Sequence, residues 1–172
     1  IAEKKIWEFE PSSTTTSSPI NTPNSAPFNS TKYYKIKNKG TNLYIYNDLL
    51  GESRLINGLP KELSGELPLI GIYDSNKKDA FLWKIEDGYI KNKKRELSSN
   101  QNAYLSLYCN AGQGGTIIMW SNTDVNCGTS GINAKWKINS DKSIQSEHVI
   151  TQYITHNNNT AYVRGIAEKK IW

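Results

Sequence analysis

The sequence holds only two cysteines, two histidines and one methionine in 172 residues, and no run approaches the roughly 20 apolar residues of a membrane-spanning helix. Each scarcity removes a class of function. Cys109 and Cys127 are spaced as neither a CxxC redox pair nor a zinc framework, so a disulfide is their natural pairing. A nucleophile pair of Cys109 with His148 is conceivable, but Cys127 explains Cys109 more simply. His148 and His156 stand in polar surroundings without HExxH or HxH spacing, which argues against metal ligation. Glu86 and Asp87 fall in a hairpin turn, which exposes them rather than creating the low-dielectric pocket an acid/base pair needs. The glycine-rich Asn110-Ala111-Gly112-Gln113-Gly114-Gly115-Thr116 fits no phosphate-binding pattern and precedes a strand at 117–120, so it reads as a loop. No catalytic constellation emerges. The chain is expected to be non-enzymatic, with no cofactor and no metal.

Acidic residues are outnumbered, 16 against 21 basic, for a net charge of +5. Basic runs occur at Lys91-Asn92-Lys93-Lys94-Arg95 and at Lys32, Lys35, Lys37 and Lys39. No nucleic-acid motif accompanies them and acidic residues are interspersed elsewhere, so they read as solvated loops and strand faces, and no nucleic-acid partner is expected. The hydrophobic share, 37%, is low for a globular chain, which implies a soluble protein with much polar loop.

What is present is repetition. Ile1-Ala2-Glu3-Lys4-Lys5-Ile6-Trp7 recurs letter for letter as Ile166-Ala167-Glu168-Lys169-Lys170-Ile171-Trp172, at an offset close to the size of a whole domain. The reading is one unit of a tandem array, an artificial overlap being the alternative. Residues 11–31 carry no charged side chain, four prolines and a majority of Ser, Thr and Asn, the composition of a semi-extended spacer. Beyond it come short alternating runs, Tyr34-Lys35-Ile36-Lys37, Leu43-Tyr44-Ile45-Tyr46 and Tyr104-Leu105-Ser106-Leu107-Tyr108, separated by Gly, Asn, Asp and Pro clusters. These are strands, and their close spacing predicts an all-β sandwich or barrel. Helix candidates at 48–63 and 166–170 are short and interrupted.

Inside the domain Trp83-Lys84-Ile85-Glu86-Asp87-Gly88-Tyr89-Ile90-Lys91 parallels Trp136-Lys137-Ile138-Asn139-Ser140-Asp141-Lys142-Ser143-Ile144, each a strand, a polar turn and a strand. Trp7-Glu8-Phe9-Glu10 shows how the same plan continues after the repeated heptapeptide. With Trp83, Trp136 and Trp172 closing three successive units, the sequence resembles the ricin-type β-trefoil over about 32–172. The family's Gln-x-Trp signature stands here as Phe81-Leu82-Trp83, Ala134-Lys135-Trp136 and Lys170-Ile171-Trp172, without the Gln in any copy. The resemblance implies a β-trefoil whose three tryptophans fill the barrel interior. It divides the chain into 1–10, closing the preceding repeat, a spacer at 11–31, and a module at 32–172 lacking the strand equivalent to Glu8-Phe9-Glu10. In an isolated molecule, the alternative is that the first copy fills that vacancy in its own or a neighbouring module.

Sugar recognition in that family uses an Asp, a stacking aromatic and an Asn three residues before the closing Trp. In the middle unit these positions are Ser106, Trp120 and Asn133. In the first they are Tyr44, Tyr73 and Ala80. In the third, Thr151 or Gln152 stands for the Asp and Lys169 for the Asn, with no clear aromatic. The orienting Asp is missing throughout, and Trp120 and Asn133 read equally as rim and turn residues.

The expected function is therefore non-catalytic, multivalent recognition, in which linked modules turn later binding steps intramolecular. One class of ligand is secreted proteins bearing docking modules, held by aromatic anchors such as Tyr44, Tyr46, Tyr73, Tyr108 and Trp120. The other is a glycan at Trp120 and Asn133. N-glycosylation patterns at Asn29 and Asn158, the paired cysteines and the hydroxyl-rich spacer together point to an extracellular or cell-surface setting. Spacer, composition and tandem identity also resemble the scaffoldins of anaerobic gut fungi, whose cohesin-like repeats hold enzymes.

Overall fold

The computed structural model describes residues 6–12, 28–48, 68–94, 104–107, 117–120, 131–156 and 161–165. The chain is all-β, and its strands are built by two-residue alternation. In β2 (Tyr33–Asn38) Tyr34, Ile36 and Asn38 turn inward while Tyr33, Lys35 and Lys37 remain partly exposed. The same alternation recurs in β6 (Tyr89–Asn92) and β11 (Gln152–His156). A half-buried sheet face selects this period, since successive side chains point to opposite faces.

The remaining strands are β1 (Trp7–Pro11), β3 (Tyr44–Tyr46), β4 (Leu69–Gly71), β5 (Trp83–Glu86), β7 (Tyr104–Leu107), β8 (Ile117–Trp120), β9 (Trp136–Ile138), β10 (Ile144–Ser146) and β12 (Ala161–Gly165). All pairings among them are antiparallel. One sheet runs β4-β3-β2-β5-β6-β7-β8 with β1 added against β2, and a second runs β12-β11-β10-β9. Isolated bridges Ile6 to Ser143 and Tyr89 to Lys135 join the two sheets. Following β1, β2, β5, β6, β9 and β10 through these pairings and bridges therefore leads back to β1.

Both tryptophan-led hairpins form, β5–β6 and β9–β10, but with different turns. Asp87 and Gly88 both have positive φ, 51° and 82°, as a tight two-residue hairpin turn requires. The second hairpin uses a longer turn, in which Asp141 Oδ1 accepts from Ser143 N at 2.9 Å and Lys142 takes the left-handed position at φ 66°. The 3-10 helix Ser75–Phe81, not anticipated from periodicity, is capped by Asp74, whose side chain accepts from Asn76 N.

Three fully or almost fully buried tryptophans, Trp7, Trp83 and Trp136, anchor the core with Ile36, Ile45, Ile90, Leu105, Leu107, Ile117, Ile144 and Ile154. Each indole N–H donates to a strand carbonyl: Trp83 to Ile45 at 2.9 Å, Trp136 to Leu105 at 2.6 Å and Trp7 to Ile154 at 3.1 Å. Burying the ring drives collapse, and the hydrogen bond spares its one polar atom the cost of desolvation.

The first heptapeptide copy thus supplies a core tryptophan to its own chain. β1 pairs with β2 over five residues, placing Glu8 opposite Lys37 and Glu10 opposite Lys35. The margins of the spacer are folded as well. Ser12 N donates to Tyr33 O at 2.9 Å, and the Phe28 ring meets Phe9 and Tyr34 edge-on, with centroids 4.7 and 5.5 Å apart. Residues 13–27, the second copy with Trp172, and both helix candidates apart from Asp48 lie outside the described residues. Among the described residues, no helix is long and apolar enough to cross a membrane.

Candidate functional site

Tyr44 and Tyr73, far apart in sequence, come together. β3 pairs with β4 with Tyr44 opposite Gly71, so the chain leaving β4 carries Tyr73 back beside Tyr44, ring centroids 6.0 Å apart. Phe81, from the 3-10 helix, is buried beneath them, edge-on to Tyr73 at 5.2 Å and stacked with Tyr46 at 4.7 Å. Lys35 projects from the outer face of β2, its Nζ 4.8 Å from the Tyr73 ring centre and 5.5 Å from that of Tyr44. Such cation–π contacts hold an ammonium against an aromatic face.

Glu10 completes the cluster from β1. Its carboxylate pairs with Lys35 at 2.7 Å, lies 3.6 Å from Lys37 and accepts from the Tyr44 hydroxyl at 3.2 Å. Partial burial works to raise the Glu10 pKa, but the lysines and the Tyr44 hydroxyl outweigh it and the net shift is downward. Burial acts against the charge on Lys35 too, yet the bond to Glu10 raises its pKa. Burial and the neighbouring carboxylate both raise Tyr44. At neutral pH the site is therefore a carboxylate, an ammonium and a neutral phenol. This arrangement fixes ring orientations and offers mixed polar and apolar contact; it contains no activated nucleophile.

Beside it Ile72 is 81% exposed, a large aliphatic side chain left in water next to the paired tyrosines. On the Tyr46 side, Asp48 bridges Lys77 and Lys94, each at 2.6 Å. Burial works to raise the Asp48 pKa, but the two ammoniums hold the carboxyl at about 2.

The middle-unit positions behave differently. Ser106 and Asn133 are both fully buried. Asn133 Nδ2 donates to Leu107 O at 3.1 Å, tying the 3-10 turn Ile132–Ala134 to β7. Neither side chain presents surface to a ligand. Trp120 closes β8, its backbone opposite Tyr104. Ala80 is buried, with its carbonyl accepting from Asn92 Nδ2 at 2.9 Å. Gln152 is buried at the start of β11, and Thr151 precedes it in the exposed turn.

Asn29 is exposed, and its Oδ1 accepts from Thr31 N at 2.9 Å and Thr31 Oγ1 at 2.7 Å. Cys109, Cys127, Asn158, Tyr108 and Lys169 lie outside the described residues.

Sequence reasoning singled out Tyr44, Tyr46 and Tyr73 but missed Glu10, Ile72 and Phe81, and treated Lys35 only as part of a basic run. A usable signal was present: Glu8-x-Glu10 and Lys35-x-Lys37 have the same two-residue spacing and opposite charge, as cross-strand pairs do.

A cleft of about 260 Å³ is lined by Trp7, Glu8, Phe9, Phe28, Tyr34 and Lys142. Ligand pockets run to roughly 300–1,000 Å³, so this cleft is small for a substrate site and the aromatic surface is the better candidate. Among the described residues, no group of three His, Cys, Asp or Glu is placed to hold a metal ion. No family model, no curated protein and no solved structure matches this chain.

Proposed function

We propose that this chain is a β-trefoil recognition module of an extracellular scaffold, which docks protein partners through the surface formed by Tyr44, Ile72 and Tyr73. Three features support the trefoil. The ring of six strands carries three hairpins, β3–β4, β7–β8 and β11–β12, and each hairpin's first strand supplies the carbonyl that accepts one buried indole N–H.

The observation that carries the docking reading is the exposed Ile72 beside the packed tyrosine pair. Aromatic side chains with few rotatable bonds lose little entropy on binding, and contact removes the exposed aliphatic surface beside them from water. The Lys35 and Glu10 pair at its edge supplies a charge pattern that discriminates among partners. A sugar site at Ser106 and Asn133 is disfavoured because both side chains are buried and donate to or approach main-chain carbonyls. Repetition of the module would multiply one weak docking event. Exposed Asn29 suits the proposed extracellular setting as a glycan acceptor.

The test uses the folded chain immobilised against secreted proteins, before and after enzymatic deglycosylation, and in parallel on a glycan array. Ile72→Asp is expected to reduce protein capture at least tenfold with unchanged thermal stability, Tyr73→Ala to reduce capture as strongly with some loss of stability from its contact with Phe81, and deglycosylation to leave capture intact. Glycan-array binding that Trp120→Ala abolishes, with capture insensitive to Ile72→Asp, overturns the docking reading in favour of a lectin.

A further inference from the structure

The slot that Ile6 and Trp7 occupy is defined by contacts that the repeated heptapeptide itself provides. Ile6 bridges Ser143, and its carbonyl accepts from Lys39 N at 2.9 Å and from Asn38 Nδ2 at 3.4 Å. Trp7 N donates to Lys142 O at 3.2 Å, its indole donates to Ile154 O, and its ring meets His156 edge-on at 5.9 Å. Every one of these contacts is made by main chain or by the indole. Ile171 and Trp172 carry the same groups in the same order.

The second copy is also within reach of the slot. It follows directly from Gly165, the last residue of β12, which lies opposite Gln152, two positions along β11 from the carbonyl that accepts the Trp7 indole. Seven extended residues span up to about 25 Å, several times the strand-to-strand spacing of roughly 5 Å that separates neighbours here.

We infer that this slot is a strand-exchange site whose second occupant is the chain's own copy at 166–172. Glu8, Phe9 and Glu10, which follow the first copy, add ion pairs to Lys37 and Lys35 and a ring contact with Phe28 that hold that copy in the slot. A module that can be closed from either end leaves the other heptapeptide available, so closure and linkage compete for one sequence.

The experiment compares Trp7→Ala, Trp172→Ala and the double variant in the full chain labelled with 5-fluorotryptophan. In Trp7→Ala, the Trp172 resonance is expected to take the chemical shift and solvent shielding that Trp7 has in the unsubstituted chain, with a cooperative urea transition and monomeric sedimentation. The double variant is expected to lose the cooperative transition. A Trp7→Ala chain that is unfolded, or folded with Trp172 solvent-accessible, overturns the inference. So does a double variant as stable as either single one. A Trp7→Ala chain that folds only as a dimer takes the strand from a neighbour and overturns the same-chain assignment.

Discussion

Trp7 and Ile154 are joined by a hydrogen bond that spans 147 residues of sequence, the indole N–H of one donating to the carbonyl of the other at 3.1 Å. The corresponding bonds of Trp83 and Trp136 span 38 and 31 residues. Two tryptophans therefore close loops of local size, while the third fastens the two ends of the described chain together. Loop-closure entropy rises only slowly with length, so the long closure costs little more stability than a short one, while contacts at great sequence separation slow folding.

Replacing the indole with a phenyl ring removes the N–H and keeps most of the packing. Trp83→Phe leaves the buried Ile45 carbonyl without its donor, at an expected cost of about 1–3 kcal/mol. Trp83→Ala adds a cavity and is expected to cost about 3–5 kcal/mol. Urea denaturation of both variants checks the order, and equal losses would show that the ring kept by Phe contributes nothing once the bond is gone.

At the β5–β6 turn, the constraint is backbone conformation rather than space. Gly88 has φ +82°, and an added Cβ would lie 3.5 Å from its nearest neighbours, Glu147 Oε1 and Trp136 O, at ordinary contact distance. Gly88→Ala is expected to destabilise by about 1–2 kcal/mol through left-handed strain alone. Asp87→Asn should change little, because Asn tolerates the φ of 51° found there. Thermal melts of the two variants decide the point.

These same residues show what sequence can reveal. The runs read as strands at Tyr34-Lys35-Ile36-Lys37 and Leu43-Tyr44-Ile45-Tyr46 fall on β2 and β3, because strand alternation and turn residues are local signals. Partnerships between strands are not local. Only the family resemblance links Tyr44 with Tyr73 in the sequence, as two positions of one unit, because their meeting depends on the β3–β4 register across a long connection. Spacing alone groups Glu10 with the first heptapeptide and says nothing of Lys35, on which its carboxylate lies because five residues of β1 add to β2. Asn133 occupied a family sugar position by spacing, and only its burial separates an architectural amide from a ligand-facing one.

That burial makes a prediction of its own. Asn133→Ala removes the donor to Leu107 O inside the protein and is expected to cost about 1–3 kcal/mol. Partner capture per folded molecule should be unchanged. Titrating capture against the folded fraction at several urea concentrations checks this, and a loss of affinity in fully folded protein would return Asn133 to the binding surface.

Acid stability should separate the two carboxylates that the lysines hold. Both are depressed in the folded state, so each contributes stability that is fully present above its unfolded pKa and is lost as pH falls through its folded value. For Asp48 the window runs from its ordinary 3.8 down to about 2, set by Lys77 and Lys94 against the opposing effect of burial. For Glu10 it begins at its ordinary 4.5 and extends downward, set chiefly by Lys35 once burial has been overcome. Above both windows these groups should contribute a constant stabilisation that no longer varies with pH. Each group binds up to one proton on unfolding within its window, so Glu10→Gln should flatten the acid limb from its upper end and Asp48→Asn from its lower end. Each change should amount to at most about one proton in the slope of unfolding free energy against pH. Both substitutions should also lower stability at neutral pH, where the charged forms are paired. Urea titrations at intervals from pH 7 down to pH 2 measure the slopes. If Asp48→Asn leaves the lower limb as steep as before, the two 2.6 Å contacts do not persist in solution.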